Sequence, residues 1–235
     1  MSELTPPYKE SAWSYSSIGT FKTCPHRYYR ERITKDIARE PDSEAILYGT
    51  ALHKAAEDYI GSNTPIPEQF GYIKQWLDKL KAIKGEKYAE KKMGITRVNR
   101  VFEPCDFFDA GVWFRGVADL LIVDEETKTA FIVDYKTGKN AKYADPLQLE
   151  LMAACVFLLH PTIEKIKGML LYVVSRETIQ KEYEVKDRFA VFEKLDELLH
   201  RRTIAYETGV FNKNPNGLCR AYCPVLDCAY NGRAK

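Results

Sequence analysis

The order of apolar and polar positions predicts helices in the first third of the chain. Apolar residues recur at helical spacing in "SYSSIGTFKTCPHRYYRERI" (14–33), "YGTALHKAAEDYI" (48–60) and "PEQFGYIKQWLDKLKAIKG" (67–85). Pro25 is expected to interrupt or kink the first helix, because a proline inside a helix removes a backbone hydrogen bond. The polar residues between the first two helices, 36–47, are expected to form a loop.

The pattern changes at about residue 97. Residues 97–138 are rich in β-branched and aromatic side chains, which predicts three strands, the last two joined by a turn at "DEETK" (124–128). The remaining chain predicts a helix over 145–160, a strand over 165–177, a second short strand over 179–185 and a long helix over 187–209. Strands followed by a helix and a further strand indicate a mixed α/β sheet, and we expect a single domain over 1–235.

Composition limits the kinds of partner that the chain can bind. With 235 residues and 45% hydrophobic residues it can bury a substantial core. The formal net charge is only +2, so a surface that binds a polyanion must be a local patch. No run of 18 apolar residues exists, and the first ten residues lack the apolar region of an export signal. We therefore expect a cytoplasmic protein without membrane partners.

Two acids and one lysine interrupt the apolar strands. Asp119 lies in "FRGVADLLIV", and Asp134 follows in the next predicted strand, where Lys136 shares its face. Two carboxylates in an apolar sheet repel each other and are costly to desolvate, and a divalent cation would remove that cost. The lysine could then orient or deprotonate a metal-bound water, or stabilise charge on a phosphate. The alternative is an ion pair on a solvated sheet face.

His53 is a third candidate ligand. It lies on a predicted helix with Glu57 one turn later, so both side chains could point towards the ends of the strands. The alternative interpretation is a structural histidine and a solvated glutamate.

Basic residues cluster in two places that could contact nucleic acid. Residues 81–100 contain seven Lys or Arg against two Glu, and the first helix adds Lys22, Arg27, Arg30 and Arg32. Such patches bind phosphates without reading bases. Three tyrosines could stack on single-stranded bases, although packing is the preferred interpretation of each: Tyr28, Tyr29 and Tyr88. No spacing typical of sequence-specific recognition is present.

Three of the six cysteines lie within ten residues of each other near the C-terminus, in "LCRAYCPVLDC". A cytoplasmic chain keeps thiols reduced, so clustered cysteines favour a metal site over disulfides. Reduced structural thiols are the alternative.

Five short motifs follow one another in an order that resembles the RecB-like exonuclease branch of the PD-(D/E)xK nuclease superfamily. The resemblance covers most of the chain. The motifs are "SYSSIGTFKTCPHRYY" (14–29), "GTALHKAAE" (49–57), "GVADLL" (116–121), "VDYKTG" (133–138) and "QLELM" (148–152).

The resemblance implies a restriction-endonuclease-like core, with a central mixed β-sheet flanked by helices. It also implies which residues form the site. His53, Asp119, Asp134 and the backbone carbonyl of Tyr135 would bind Mg²⁺ or Mn²⁺. Lys136 would be the catalytic lysine.

Gln148 would place the lysine or a DNA phosphate. Met152 stands where the branch usually has a substrate-contacting tyrosine. The implied activity is a metal-dependent DNA exonuclease that uses metal-activated water, in phage or mobile-element DNA replication or recombination. Its substrate would be DNA without sequence specificity, and a helicase or recombinase could be a partner. The alternatives are a structure-specific DNA endonuclease and a non-catalytic DNA-binding subunit that retains the fold.

Part of this branch carries an iron–sulfur cluster. By resemblance, Cys24 of the N-terminal motif and Cys219, Cys223 and Cys228 of the tail would hold a [4Fe–4S] cluster, with Zn²⁺ as the alternative. The cluster would join the N-terminal helix to the cysteine-rich tail.

Overall fold

The computed structural model describes residues 5–37, 41–138, 140–142 and 144–233. The chain divides into two compact units. We call residues 42–191 the sheet unit, and residues 1–41 with 192–235 the terminal unit. The single domain expected over residues 1–235 stays a prediction.

The sheet unit is built on one six-stranded sheet, which is mixed, as the sequence predicts. Its strand order is β2-β1-β3-β4-β5-β6, and only β4 and β5 are parallel. The strands are β1 (Glu86–Val98), β2 (Val101–Cys105), β3 (Phe114–Asp124), β4 (Thr129–Lys136), β5 (Lys165–Tyr172) and β6 (Glu177–Glu184).

Strands β3 and β4 form the centre of the sheet. They are antiparallel and joined by the predicted turn, in which Asp124 accepts hydrogen bonds from the N–H groups of Glu126 (3.1 Å) and Thr127 (3.3 Å). From β4 the chain crosses to the parallel strand β5 through helix α5 (Leu147–Leu159). Most residues of α5 are buried, which explains why its sequence is apolar on every side.

Strand β1 was not predicted, and four strands rather than three lie between residues 86 and 136. Charged residues interrupt β1, so its sequence lacks the apolar alternation that indicates a strand. Only Met93, Gly94 and Ile95 among its residues are buried. It is extended because its backbone pairs with β3 on one side and β2 on the other.

Two helices pack against one face of the central strands. Helix α3 (Glu44–Ser62) begins within the expected loop, because the Ser43 side chain accepts a hydrogen bond from the N–H of Ile46 and caps it. Helix α4 (Lys74–Ala82) follows a 3₁₀ turn at Glu68–Ile73. Their apolar faces share one buried cluster with the central strands, which includes Leu52, Ala56, Phe70, Leu77, Leu120, Val133 and Tyr135.

The terminal unit contains helices α1 (Tyr15–Thr23) and α2 (Pro25–Arg32) and nearly all of α6 (Ala190–Thr208). The predicted interruption at Pro25 is confirmed, because Cys24 is extended and the proline begins a second helix. Arg202 of α6 is buried, and it donates hydrogen bonds to the Tyr28 hydroxyl (3.0 Å) and to Glu10 (2.8 Å).

None of the described helices combines the length and the apolar character that a membrane span requires.

The pairing of β1 with β2 makes Gly94 sensitive to substitution. A Cβ atom at this position would lie 2.8 Å from the Asp106 carbonyl oxygen and 2.9 Å from that of Cys105. These are backbone atoms that cannot rotate away, so we expect Gly94→Ala to lower the free energy of unfolding by about 1–3 kcal/mol. Urea unfolding measures this change. Gly71→Ala is the control, since nothing lies within 4 Å of its added Cβ, and equal effects of the two substitutions would contradict the packing argument.

Candidate active site

The candidate site lies where helix α3 meets the central strands. His53 Nδ1 is 3.4 Å from Oδ2 of Asp119, and His53 Nε2 is 3.0 Å from the carbonyl oxygen of Tyr135. The same Asp119 oxygen accepts a 2.6 Å hydrogen bond from the N–H of Tyr135. Three of the residues singled out in the sequence therefore meet through α3, β3 and β4.

Strand alternation separates the roles of three consecutive residues of β4. The Tyr135 side chain points into the apolar cluster, and its ring meets the His53 ring edge-on with 5.9 Å between centroids. Its backbone carbonyl and N–H contact His53 and Asp119. Asp134 and Lys136 share the other face, where Asp134 Oδ2 and Lys136 Nζ are 2.5 Å apart. The Asp134 side chain is only 7% exposed, so this pair is shielded from solvent on the side of the acid.

Gln148 of α5 bridges the acid and the lysine. Its amide nitrogen donates a 2.5 Å hydrogen bond to Asp134 Oδ1, and its Oε1 accepts a 2.9 Å hydrogen bond from Lys136 Nζ. An amide can make both contacts at once because it carries a donor and an acceptor. The three side chains form a closed network that holds the lysine amine at the end of β4.

Burial and neighbouring charges shift the pKa values of the acids and of the histidine at this site. Burial raises the pKa of Asp134 to about 6, and the neighbouring charge of Asp119 adds to the rise, against the opposing effect of Lys136. Burial lowers the pKa of His53, but the hydrogen bond and charge of Asp119 outweigh it, and the net pKa is raised. The negative charge of the acids at the site therefore exceeds the positive charge that Lys136 and His53 can supply.

Glu90 was missed by the sequence interpretation. A ligand atom of Glu90 lies within 4.8 Å of ligand atoms of His53 and Asp119, a group that could hold a metal ion. Burial and the charge of Asp119 raise the pKa of the Glu90 carboxyl. In the sequence Glu90 is only an acid within a basic stretch, because the pattern of residues does not predict β1. Its position follows once β1 is paired with β3, which places it opposite Asp119.

The donor atoms at the site suit a hard divalent cation. Carboxylate and carbonyl oxygens are the ligands of Mg²⁺ and Mn²⁺, and an imidazole nitrogen is compatible with Mn²⁺ and other transition metals. Both oxygens of Asp134 contact Lys136 or Gln148, whereas Asp119, Glu90 and His53 face one another.

An open cleft adjoins this group. It has a volume of about 460 Å³ and is lined by Gly49, Thr50, His53, Lys54, Glu57 and Glu90. Glu57 thus lies beside His53, as their helical spacing predicts, and its Oε2 is 3.1 Å from Lys54 Nζ. The cleft lets a solvent-borne substrate reach the candidate ligands.

Comparison with protein families decides the class of protein. The sequence profile of the PD-(D/E)XK nuclease superfamily matches residues 12–228. The chain belongs to this superfamily. It is therefore a nuclease with the restriction-endonuclease-like fold that the motifs imply, and superfamily membership implies divalent metals and a DNA substrate.

Individual relatives add little to this assignment. No curated protein sequence matches the nuclease. The structure of SSO0001 is 15% identical, with a TM-score of 0.48, and the match covers 98% of this chain and 90% of that one. A candidate exonuclease from Eubacterium rectale is 14% identical, with a TM-score of 0.46 and coverage of 94% and 92%. At this distance neither structure bears on the activity of the nuclease.

The aromatic residues considered for base stacking differ in exposure. Tyr28 packs in the core and is not available for stacking, because its side chain is 1% exposed and its hydroxyl accepts a hydrogen bond from Arg202. The ring of Tyr29 packs against Phe211 at 4.9 Å, and Tyr88 is half-buried. Met152, which replaces the usual tyrosine of the branch, is buried, and its sulfur fills the space above Gly116.

The four cysteines expected to bind one metal centre line a single cavity of the terminal unit. The side-chain amides of Asn214 and Asn216 both donate to the carbonyl oxygen of Thr23, at 2.9 and 3.2 Å, which brings the tail beside Cys24. No three of the cysteine sulfurs, all within the described chain, lie within 4.8 Å of one another.

The raised pKa of Asp134 predicts a pH-dependent stability of the metal-free nuclease. Because its pKa rises from 3.8 to about 6 on folding, the folded state binds the proton more tightly. This contribution to stability is present below about pH 4 and is lost as the pH rises through about 6. In EDTA, the melting temperature of Asp134→Asn minus that of wild type should therefore increase between pH 4 and pH 6. Above pH 6 this difference should stay constant.

Asp78→Asn is the control, because folding shifts the pKa of Asp78 in the opposite direction to that of Asp134. The pKa of this exposed acid is lowered by a hydrogen bond from Lys74, so its substitution should not increase relative stability over that range. A flat profile for Asp134→Asn would show that the carboxylate is not destabilising.

Proposed function

We propose that the protein is a DNA exonuclease that hydrolyses phosphodiester bonds with a water activated by Mg²⁺ or Mn²⁺. The observation that carries the proposal is the meeting of His53, Asp119 and the Tyr135 carbonyl beside the Asp134–Lys136 pair, next to an open cleft. An ion pair on a solvated sheet face would not place a histidine and a backbone carbonyl against a second acid.

Each side chain has a distinct task in this proposal. His53, Asp119 and the Tyr135 carbonyl would hold the cation, with Asp134 as the further ligand that the resemblance implies. When bound, the cation lowers the pKa of its water and withdraws charge from the phosphate. Lys136 stabilises the charge that develops on the phosphate or orients the attacking water.

Gln148 acts by positioning the lysine. Its contacts to Asp134 and Lys136 restrict the amine to one side of β4, so the amine does not have to be ordered when substrate binds. This geometry supports the lysine-placing role over direct contact with a DNA phosphate.

DNA would be bound through its phosphates, without sequence specificity. Several cations of the stretch 81–100 lie over aromatic rings, as Lys91 does over Tyr88 at 4.5 Å and Lys92 over Phe108 at 5.3 Å. Such contacts fix the side-chain stems while leaving the charge available to a polyanion. A role in phage or mobile-element DNA replication or recombination and a helicase or recombinase partner rest on the family resemblance, and a cytoplasmic setting rests on the lack of an export signal.

Substitution of the lysine tests the catalytic assignment. Lys136→Ala should lower the rate of linear DNA degradation by about 10²–10⁴-fold in Mg²⁺ or Mn²⁺, because a positioned proton-transfer group contributes that much. Asp119→Asn should abolish the metal-dependent rate. Lys128→Ala is the matched control, since this exposed lysine lies at the opposite end of β4 and should leave the rate unchanged. Equal rates for wild type and Lys136→Ala would show that the site is wrong.

The form of the DNA distinguishes an exonuclease from its alternatives. Covalently closed circular DNA has no end, so an exonuclease should leave it intact while degrading the linear form. Nicking or linearisation of the circle would identify an endonuclease. Binding of both forms without cleavage would identify a non-catalytic DNA-binding subunit.

We also propose that Cys24, Cys219, Cys223 and Cys228 hold a [4Fe–4S] cluster with a structural role. The shared cavity and the amide contacts to Thr23 support a common centre. A [4Fe–4S] cluster takes four thiolates. The same four thiolates would suit tetrahedral Zn²⁺, which is the alternative.

Anaerobic purification tests the nature of this centre. We expect a brown protein that absorbs near ~400 nm and contains iron and sulfide, and Cys223→Ser should lose the absorbance. Cys105→Ser is the matched control, because this half-exposed cysteine lies outside the cavity. A colourless protein with stoichiometric zinc would support the zinc alternative, and one without metal would indicate structural thiols.

A further inference from the structure

Glu90 lies opposite Asp119 at a local break in the sheet. The residues on either side of it pair regularly with β3, Ala89 with Leu120 and Lys91 with Ala118. The register therefore continues across this point, but the pair between Glu90 and Asp119 is not formed. Residues directly opposite in antiparallel strands have side chains close together, so this register brings the two carboxylates to one place.

The backbone at Glu90 is strained. Its φ of 49° lies in the left-handed region, within a strand that is otherwise extended. For a residue with a Cβ this conformation is unfavourable, and glutamate lacks the short side chain that lets asparagine or aspartate adopt it readily. Glycine would take the same conformation without that cost. Strain of this kind persists where the surrounding structure imposes it, often at functional sites.

The surroundings of Glu90 are mostly acidic. The charged groups that act on it are Asp119, Glu57, Asp134 and His53. Within the described part of the chain, no lysine or arginine forms an ion pair with Glu90, whereas Asp134 is paired with Lys136. A strained, half-buried carboxylate next to other acids lowers the stability of the folded protein unless a cation binds there.

We propose that Glu90 is a further protein ligand of the divalent cation, presented by the left-handed residue in β1. The inference rests on the proposed function, because it requires that a cation bind at Asp119 and His53. The cation would then be held by the His53 imidazole, the Tyr135 carbonyl and the carboxylates of Asp119, Asp134 and Glu90.

Manganese binding to the full-length protein tests this inference without measuring catalysis. We expect Glu90→Gln to weaken Mn²⁺ affinity in calorimetric titration by about tenfold or more, since even residues outside the metal's direct ligands affect affinity by about 10–100-fold. Glu90→Gly should show the same loss and, in EDTA, a higher melting temperature than wild type, because it removes both the charge and the strain.

Arg100→Gly is the matched control. Arg100 also has a left-handed backbone, with φ of 65°, but it is exposed at the β1–β2 turn, about 30 Å from Glu90 along the strand. Its substitution should leave Mn²⁺ affinity unchanged and should not lower the melting temperature in EDTA. Parallel losses of affinity in Arg100→Gly and Glu90→Gly would attribute the effect to backbone conformation and overturn the inference.

Asp119→Asn separates failure of this inference from failure of the proposed function. If wild type binds Mn²⁺, Asp119→Asn loses affinity and both Glu90 variants keep it, the metal site stands and Glu90 is not a ligand. If wild type itself binds no divalent cation, the proposed function fails and the role of Glu90 fails with it.

Discussion

The site depends on one electrostatic constraint: acids are buried close together in an apolar sheet. Asp119 and Asp134 lie on adjacent central strands, and Glu90 adds a third carboxylate from β1. Burial and mutual repulsion raise the pKa of Asp134 and of Glu90, so their ionised forms are unfavourable in the metal-free protein. The lysine, the histidine and the amide of Gln148 offset part of this cost. A divalent cation would offset the rest, which links stability, metal binding and catalysis in one group of side chains.

The sheet topology supplies each component of the site from a different element. The antiparallel pairing of β3 with β4 brings Asp119 to the backbone of Tyr135, and alternation along β4 turns Asp134 and Lys136 away from the apolar cluster. The parallel pairing of β4 with β5 requires a crossover, and that crossover is α5, which carries Gln148. Helix α3, which packs on the apolar cluster of the central strands, supplies His53. A change in register of either central strand would reverse the faces of these side chains.

The terminal unit has its own organising contacts. The buried Arg202 connects α6 to Tyr28 and Glu10, and the asparagines of the tail bind the end of α1. These contacts bring residues from the two ends of the chain around one cavity lined by four cysteines. A metal centre there would hold chain termini that otherwise fray.

The sequence by itself determined the fold class, the break at Pro25, the turn between the central strands and the superfamily, because apolar periodicity, proline and short motifs are local signals. It also singled out His53, Asp119, Asp134, Lys136 and Gln148, whose roles stay predictions. Only the tertiary structure decided that residues 86–98 form a strand, because pairing with two neighbours outweighs the weak preference of a lysine-rich segment. For the same reason Glu90 could not be placed beside Asp119 from the sequence. Cross-strand register and burial depend on residues far apart in the chain, and local patterns do not encode them.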